Sequence, residues 1–460
     1  MSELANAPSP ESSVGLDPAT IREVHDALDA GTPEVAAAIL LSIPYADAAD
    51  LLEALTPEER AVLVPAAGRR LDPLVLSELK EDVREEVIEF LGPKETAAAL
   101  QGLDTDDAVE IVQALNEDVQ SRVLDAVPEA DRRVIEAALA YPEDSAGRLL
   151  QREYVALPSS WSVGETIDYL RGAADLPDEF YDLFIVDEQR RPIGTIPLSR
   201  VLRSERAVLI GAIVEPKAEF VTVPVTMDQE DVAFLFRQRD LVSAPVVDQS
   251  GRMVGVITVD DVVEVIEEER EEDIMRLGGV VETDLNRSVF ETSKARFAWL
   301  FVNLLTAILA SSVIGLFRDS IEHLVALAVL MPICASMGGN AGSQTLTVVV
   351  RGLATHEITV ANARRIVTKE IFVGSLNGIL FAVVGAVVAG LWFQDLGLGL
   401  VLGAAMVCNL IAAGLAGALI PLGLHFIKVD PAISSVVFLT TVTDVVGFFA
   451  FLGLAAWLLL

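Results

Sequence analysis

The chain has 460 residues and a formal net charge of −35, yet 52% of it is hydrophobic, a combination that excludes an ordinary soluble protein. From Arg296 onward there are seven basic and seven acidic residues, so the whole acidic excess lies in residues 1–295. Because such a surface repels phosphate, no nucleic-acid partner is expected. The sequence therefore predicts an acidic, water-soluble half followed by an uncharged half of membrane type.

Residues 1–17 have neither a basic start nor an apolar stretch, so we expect a disordered leader rather than a signal peptide. Residues 18–140 then predict short amphipathic helices with an internal repeat. SIPYADAADLLEALTPEERAVL from Ser42 matches GLDTDDAVEIVQALNEDVQSRVL from Gly102. This repeat predicts an α-solenoid that binds or braces a neighbour, and it contains no catalytic cluster.

Residues 141–270 alternate short β-branched runs with helices and contain a second internal repeat. FIVDEQRRPIGTIPLSRVL from Phe184 matches PVVDQSGRMVGVITVDDVV from Pro245. This pattern resembles tandem CBS domains, an α/β pair of regulatory modules. The resemblance implies an adenosyl ligand such as ATP, although the longer segment RGAADLPDEFYDL in the first module departs from the pattern.

The predicted connecting helix, residues 262–295, begins within a strongly acidic segment. DDVVEVIEEEREED, residues 260–273, contains nine acids and one arginine. On a helix, four of these acids form one stripe of like charges, which repel one another: Asp261, Glu264, Glu268 and Glu272. The stripe is either a solvated face or a divalent-ion site, and its position directly before the membrane half favours the ion site.

Residues 296–460 contain five apolar runs long enough to span a bilayer. We expect spans at Phe297–Phe317, His323–Val350, Ile371–Phe393, Gly397–Ile427 and Pro431–Leu460. The basic residues between spans predict that the N-terminal half is cytoplasmic and the C-terminus outside. Between the second and third spans, His356–Glu370 predicts a basic amphipathic helix on the inner surface.

Asp444 is the acid nearest the middle of the last span, where a charge is costly and no span core offers a basic partner. Its remaining partners are water, a proton or a cation. Thr440 and Gly447 share its helix face, and Asp430 lies earlier on that face, at the inner rim. An ion pathway is the favoured interpretation, and a protonated aspartate bonded between helices is the alternative.

The second span contains MPICASMGGNAGSQTLT, in which Pro332, Gly338, Gly339 and Gly342 predict a break in the helix. Neutral oxygens follow at Asn340, Ser343, Gln344 and Thr345. Oxygen ligands suit a hard cation such as Mg²⁺. Close helix packing through small residues is the alternative.

The domain order, together with MPICASMGGNAGSQ and VDPAISSVVFLTTVTDVVG, resembles the MgtE family of bacterial magnesium channels over nearly the whole chain. The resemblance implies a multidomain homodimer in the plasma membrane that takes up Mg²⁺. It assigns the pore ion to Asp444, with Asp430 at the start of the last span. Backbone carbonyls of the Gly338–Gly339 region, Thr440 and Gly447 would add to the site.

The resemblance also implies regulatory Mg²⁺ sites that close the pore, with the connecting helix, residues 262–285, as the plug. The carboxylates assigned to these sites are Asp228, Glu230, Asp240, Asp261, Glu264, Glu269, Glu272 and Asp273, with Asp106 and Asp107 in the helical domain.

Three other functions remain open from the sequence. The protein could be a carrier or exporter of another divalent cation such as Co²⁺ or Mn²⁺, a proton-coupled transporter, or a membrane-anchored nucleotide sensor. Ion-selectivity currents, dependence on the proton gradient and the effect of Asp444→Ala discriminate among them. An enzyme is not expected, because four histidines are scattered and no nucleophile–base set is present.

Overall fold

The computed structural model describes residues 15–173, 176–177, 180–214, 220–280 and 289–460. Most of the expected leader and residues 281–285 of the expected plug lie outside these ranges. The chain divides into two compact units, residues 1–267 and 268–460, and each is described by itself.

Ten short helices form the first part of the first unit, as the solenoid pattern predicts. They are α1 (Pro18–Asp29), α2 (Pro33–Leu40), α3 (Tyr45–Ala54), α4 (Pro57–Ala67), α5 (Leu74–Glu78), α6 (Glu81–Leu91), α7 (Pro93–Leu100), α8 (Thr105–Ala114), α9 (Glu117–Ala126) and α10 (Glu129–Leu139). Helices α7, α8 and α9 follow α2, α3 and α4 at one constant offset, so the sequence repeat is a structural repeat. Prolines at the first turn fix several starts, and Thr56 and Glu59 form a capping box at α4.

Two buried arginines tie successive helices of the solenoid together. Arg60 donates to the carbonyl oxygens that end α3 and to Glu86 of α6. Arg84 does the same further along the solenoid, donating to the carbonyls that end α5 and to Glu110 of α8. Because removing such a partner leaves buried carbonyls unsatisfied, these arginines fix the spacing of the helix pairs.

The CBS pair follows, as two three-stranded sheets in the orders β1-β2-β3 and β4-β5-β6. The strands are β1 (Ala156–Pro158), β2 (Asp182–Val186), β3 (Pro192–Pro197), β4 (Val223–Pro224), β5 (Ser243–Val247) and β6 (Met253–Thr258), and the helices are α11 (Val163–Gly172), α12 (Leu198–Arg203), α13 (Ile210–Ile213) and α14 (Gln229–Arg239). In each sheet the first two strands are parallel and the last two antiparallel.

The two modules differ in the connection between the helix and the central strand. In the first module this connection runs from the end of α11 at Gly172 to the start of β2 at Asp182. In the second it is shorter, from the end of α14 at Arg239 to the start of β5 at Ser243. The extra length falls within the segment that the sequence marks as longer, of which residues 174–175 and 178–179 lie outside the described residues.

Helix α15 (Val259–Leu277) begins in the first unit and ends in the second. The Asp261 carboxylate accepts from the amide and the hydroxyl of Thr258, which fixes the start. Gly279 follows with a φ of +72°, and a Cβ there would collide with the Trp299 ring. The connecting helix is thus shorter than the predicted 262–285 or 262–295, because the chain turns at this glycine.

The second unit continues with six helices: α16 (Val289–Leu316), α17 (Arg318–His323), α18 (Ala326–Ala354), α19 (Ala363–Phe393), α20 (Leu396–Phe426) and α21 (Pro431–Leu458). Five of these are long and apolar enough to cross a membrane, as the sequence predicts. The short α17 is the exception.

The amphipathic helix predicted at His356–Glu370 is wrong. Residues 356–362 form turns, and the segment from Ala363 belongs to the long helix α19. The Asn362 side chain accepts from the Thr359 amide and donates to the Glu357 carbonyl, which holds the turn. Beyond it, Ile366 and Val367 pack on a cluster from α18 and α20, so the apolar face is already covered.

The predicted break in the second span is also wrong, because α18 is one continuous helix. Gly338 and Gly342 serve close packing instead of unwinding, whereas a Cβ at Gly339 would meet nothing within 4 Å. A Cβ at Gly342 would lie 2.7 Å from a methyl group of Leu439, and one at Gly338 would collide with the amide of Asn409. The small-residue packing that the sequence offered as the alternative is therefore what the helix uses.

Candidate functional site

Asp444 lies on α21, within the candidate fifth span, and its side chain is half-buried. Among the residues that the structure describes, the carboxylate has no hydrogen-bond or ion-pair partner. Nearby hydroxyls bond within the helix: Thr440 and Thr441 both donate to the Val437 carbonyl. The carboxylate therefore keeps all its oxygen lone pairs available for an external ligand.

The other predicted pore residues divide into two groups. Asn340 is exposed, and Gly339 and Thr440 are partly exposed. By contrast, Gly338 and Gly447 are buried against Asn409, and the Gly447 carbonyl lies 3.8 Å from the Cys334 sulfur. The structure thus gives Gly338 and Gly447 a packing contact inside the chain.

Asp430 is the N-cap of α21, where one carboxylate oxygen accepts from the Ala432 amide at 2.7 Å. Its other oxygen pairs with Arg276 of α15, and Arg276 also pairs with Glu272. The negative charge at the predicted inner rim is therefore balanced by a cation from the connecting helix. The sequence pattern did not point to Arg276, because the two partners lie far apart in the chain.

Two buried polar residues in the membrane unit escaped the sequence analysis. Glu370 on α19 accepts from the Thr345 hydroxyl at 3.0 Å and is 8% exposed. Asn409 on α20 is fully buried and donates to the Cys334 carbonyl at 2.8 Å. The sequence could have indicated both residues, because each is polar and lies within or beside an apolar run. This feature marks functional positions in membrane helices.

In the first unit, carboxylates from α8 meet carboxylates from α15. Asp106 on α8 is 8% exposed, and Gln151 donates to it at 3.0 Å and to Asp261 at 3.3 Å. The structure therefore brings together predicted regulatory residues from distant parts of the sequence, and we name Asp106, Asp107, Asp261 and Glu264 the acidic cluster.

Burial shifts the protonation of the acidic cluster. It raises the pKa of Asp107 to about 7, and the neighbouring charges of Glu110 and Asp261 add to this effect. The pKa of Glu264 is raised to about 7 for the same reasons, and the pKa values of Asp106 and Asp261 are also raised. These carboxylates repel one another, and Arg84, which lowers the pKa of Asp107, offsets only part of this repulsion, which favours protons or metal ions as further partners.

The acidic cluster is not a preassembled metal centre. Within the described ranges, no group of three or more His, Cys, Asp or Glu side chains is arranged to hold a metal ion. One Asp106 oxygen is buried with no hydrogen-bond partner. The site as it stands can therefore hold an ion only through water, or after a shift of its side chains.

The remaining predicted regulatory carboxylates lie in two other places. Asp228 caps the start of α14 and accepts from the Glu230 amide, and Asp240 ends that helix with a left-handed φ of +51°. Asp273 on α15 has its pKa raised to about 6, by burial and then by Asp430 and Glu269. The predicted residues thus form separate groups.

The helical repeat, the paired α/β modules and five candidate spans define a multi-pass membrane protein with a large N-terminal domain outside the spans. Three family models match the chain: MgtE, divalent cation transporter, at residues 331–454; MgtE intracellular N domain at 43–144; and CBS domain at 210–268. The chain belongs to the MgtE family.

Two curated relatives carry the name magnesium transporter MgtE. The protein from Thermus thermophilus is 33% identical over 444 residues, which cover 95% of this chain and 98% of the relative. The protein from Bacillus subtilis is 27% identical over 386 residues, which cover 83% of this chain and 84% of the relative. A solved structure, described as the cytosolic domain of the Mg²⁺ channel MgtE in complex with ATP, is 31% identical with a TM-score of 0.49; it covers 53% of this chain and 99% of that one.

The raised pKa values predict that protons stabilise the contact between α8 and α15. Because the folded-state pKa of Asp107 and Glu264 lies above the unfolded value, stability is present at low pH and lost as pH rises through about 7. In Mg²⁺-free buffer, hydrogen-exchange protection factors of α8 and α15 should fall between about pH 5 and pH 7 and level off above about pH 8, because the opened state ionises near the ordinary carboxyl pKa and the folded state near 7.

The Asp107→Asn/Glu264→Gln variant should flatten this pH dependence, and α1, which lies outside the acidic cluster, serves as the internal reference. Protection that rises with pH would contradict the assignment.

Proposed function

We propose that the protein is a Mg²⁺-selective channel for magnesium uptake, closed by cytosolic Mg²⁺ that binds its acidic regulatory domain. The observation that carries the proposal is the Asp444 carboxylate, half-buried in a span with no protein partner among the described residues. The relatives named magnesium transporters, and a family model described as a divalent cation transporter, support Mg²⁺ as the ion.

A carboxylate of this kind suits Mg²⁺ because the ion releases its water reluctantly and binds octahedral oxygen. In a homodimer with the pore on its axis, two Asp444 carboxylates would hold the hydrated ion through its water molecules. The ion need not be stripped of water, and so it leaves the site again. Thr440, one turn earlier on the same helix, and Asn340, exposed on α18, are the nearest candidates to add neutral oxygens.

The direction of transport follows from the charges at the ends of the spans. Arg351 lies in the last turn of the second candidate span, and Arg364, Arg365 and Lys369 lie in the first two turns of the third, so all four are at the same end of the two helices. This distribution supports a cytoplasmic position for that side and for the N-terminal half in a bacterial cell, with the C-terminus outside. The inside-negative potential then drives the cation inward, with about 2.3 kcal/mol per charge per 100 mV.

Regulation would act through the charge of the acidic cluster. At high cytosolic Mg²⁺, ions between α8 and α15 offset the carboxylate repulsion and hold α15 in the closed arrangement. At low Mg²⁺, repulsion releases α15. The same helix carries Arg276, whose ion pair with Asp430 connects its end to the start of the pore helix α21. This is a shift between two populations, since Mg²⁺ binds the closed one more tightly.

ATP at the CBS pair is a separate part of the proposal. A relative's cytosolic domain is described in complex with ATP. In this proposal ATP would act by changing the Mg²⁺ concentration at which the pore closes.

Replacement of Asp444 tests the pore. In proteoliposomes with a trapped Mg²⁺ indicator, Asp444→Ala should reduce Mg²⁺ influx to the rate of empty liposomes, and Asp444→Asn should reduce it by about tenfold or more, because a neutral amide attracts the hydrated cation less. Asp319→Asn, an exposed aspartate before the second span, is the matched control and should transport normally.

Undiminished influx through Asp444→Ala would refute the channel. Influx that follows an imposed proton gradient and ignores voltage would instead support proton coupling.

Neutralisation of the acidic cluster tests the regulation. In patches of the full chain, Asp107→Asn/Glu264→Gln should raise the cytosolic Mg²⁺ concentration that halves the current by about tenfold, within the usual range of allosteric coupling energies. The current at low Mg²⁺ should stay unchanged, because the pore is untouched.

The matched control is Glu117→Gln/Asp118→Asn, which removes two exposed charges from the start of α9. It should close at the normal Mg²⁺ concentration. If both variants respond alike, general surface charge rather than the cluster senses Mg²⁺.

A further inference from the structure

Asn409 is a polar residue buried inside the membrane unit, within the apolar sequence MVCNLIAAG of α20. Its side chain is 0% exposed. The amide nitrogen donates to the Cys334 carbonyl of α18 at 2.8 Å, whereas the amide oxygen has no hydrogen-bond partner among the described residues. A buried polar atom without a partner costs free energy, so helix stability alone does not account for an asparagine here.

Two glycines from two different spans enclose the Asn409 side chain. A Cβ at Gly338 of α18 would collide with the amide, and a Cβ at Gly447 of α21 would lie 2.7 Å from the amide nitrogen. The amide therefore occupies the space that two side chains would need. Helices α18, α20 and α21 meet at this point. Because Asn409 is present, neither glycine position has room for a larger side chain.

The contact lies close to the proposed ion site along α21. Gly447 follows Asp444 by three residues, a rise of about 4.5 Å on the same face of a helix. Since a helix is stiff over this distance, a displacement of α21 at Gly447 moves the Asp444 carboxylate as well. The lateral position of this carboxylate is thus fixed by a neighbour that does not touch it.

We propose that Asn409 is a positioning residue: its amide, held between Gly338 and Gly447, sets the place of α21 against α18 and thereby aligns Asp444 with the passing Mg²⁺. The inference rests on the proposed channel function. It gives Gly338 and Gly447 a steric role in this alignment, which is separate from the carbonyl ligand role that the family resemblance implies.

The test compares three variants of the full chain in proteoliposomes, with Mg²⁺ influx measured over a range of Mg²⁺ concentrations. Gly338→Ala should reduce influx by about tenfold, and Asn409→Ala should raise the half-saturating Mg²⁺ concentration severalfold. The double variant should behave like Asn409→Ala alone, since contacting residues couple strongly and the collision is gone. If the second substitution restores the influx that Gly338→Ala loses, the loss was caused by misalignment and not by a general loss of stability.

Gly423→Ala is the matched control on α20, because nothing lies within 4 Å of a Cβ there. Its influx should stay within about twofold of the original. Thermal unfolding of each purified variant separates misfolding from misalignment.

The proposal would be overturned if Gly338→Ala and Asn409→Ala act independently, so that their reductions of Mg²⁺ influx multiply in the double variant. If Gly338→Ala does not fold, Asn409→Ala decides alone, and an unchanged half-saturating concentration overturns it. Asp444→Asn in the same assay separates the two hypotheses. Full influx through Asp444→Asn would refute the proposed channel. If Asp444→Asn loses influx but the effects of Gly338→Ala and Asn409→Ala multiply, only the positioning role of Asn409 is refuted.

Discussion

The structure depends on carboxylates that the protein does not neutralise by itself. In the acidic cluster, Asp106 is buried, Asp107 and Asp261 are partly buried and Glu264 keeps an exposed side, and desolvation raises the pKa of each. An anion removed from water needs a proton, a basic side chain or a metal ion. Because basic side chains are scarce there, the packing of α8 on α15 becomes sensitive to whatever cation the solution supplies.

In the proposed function, helix α15 would carry this sensitivity to the pore. One continuous helix carries Asp261 and Glu264 near its start and Arg276 near its end. Arg276 pairs with Asp430, the residue that caps α21. A change at the acidic cluster therefore acts on a helix whose other end is bonded to the helix that contains Asp444, and no chain of flexible contacts is needed.

The sequence predicted what depends on local pattern and repetition. Two internal repeats located the solenoid and the CBS pair, and apolar length located five spans. It failed where meaning depends on a distant partner. A glycine in a helix permits either a bend or the close approach of another helix. Gly338 serves close approach because Asn409 lies against it, and Gly342 does so because Leu439 lies against it. Both neighbours are on other helices, so the local sequence could not show which use applies. The Arg276–Asp430 pair was hidden for the same reason.

Two polar side chains in the membrane unit explain why we propose Asp444, and not Asn409, as the ion site. Asn409 is neutral and fully buried, its amide nitrogen donates to the Cys334 carbonyl, and Gly338 and Gly447 enclose its side chain, which leaves no access for an ion. Asp444 carries a charge, is only half-buried and has no partner in the described chain. Since a charge at that depth is costly unless paired, the second arrangement favours occupancy by a cation, whereas the first can only hold helices in place.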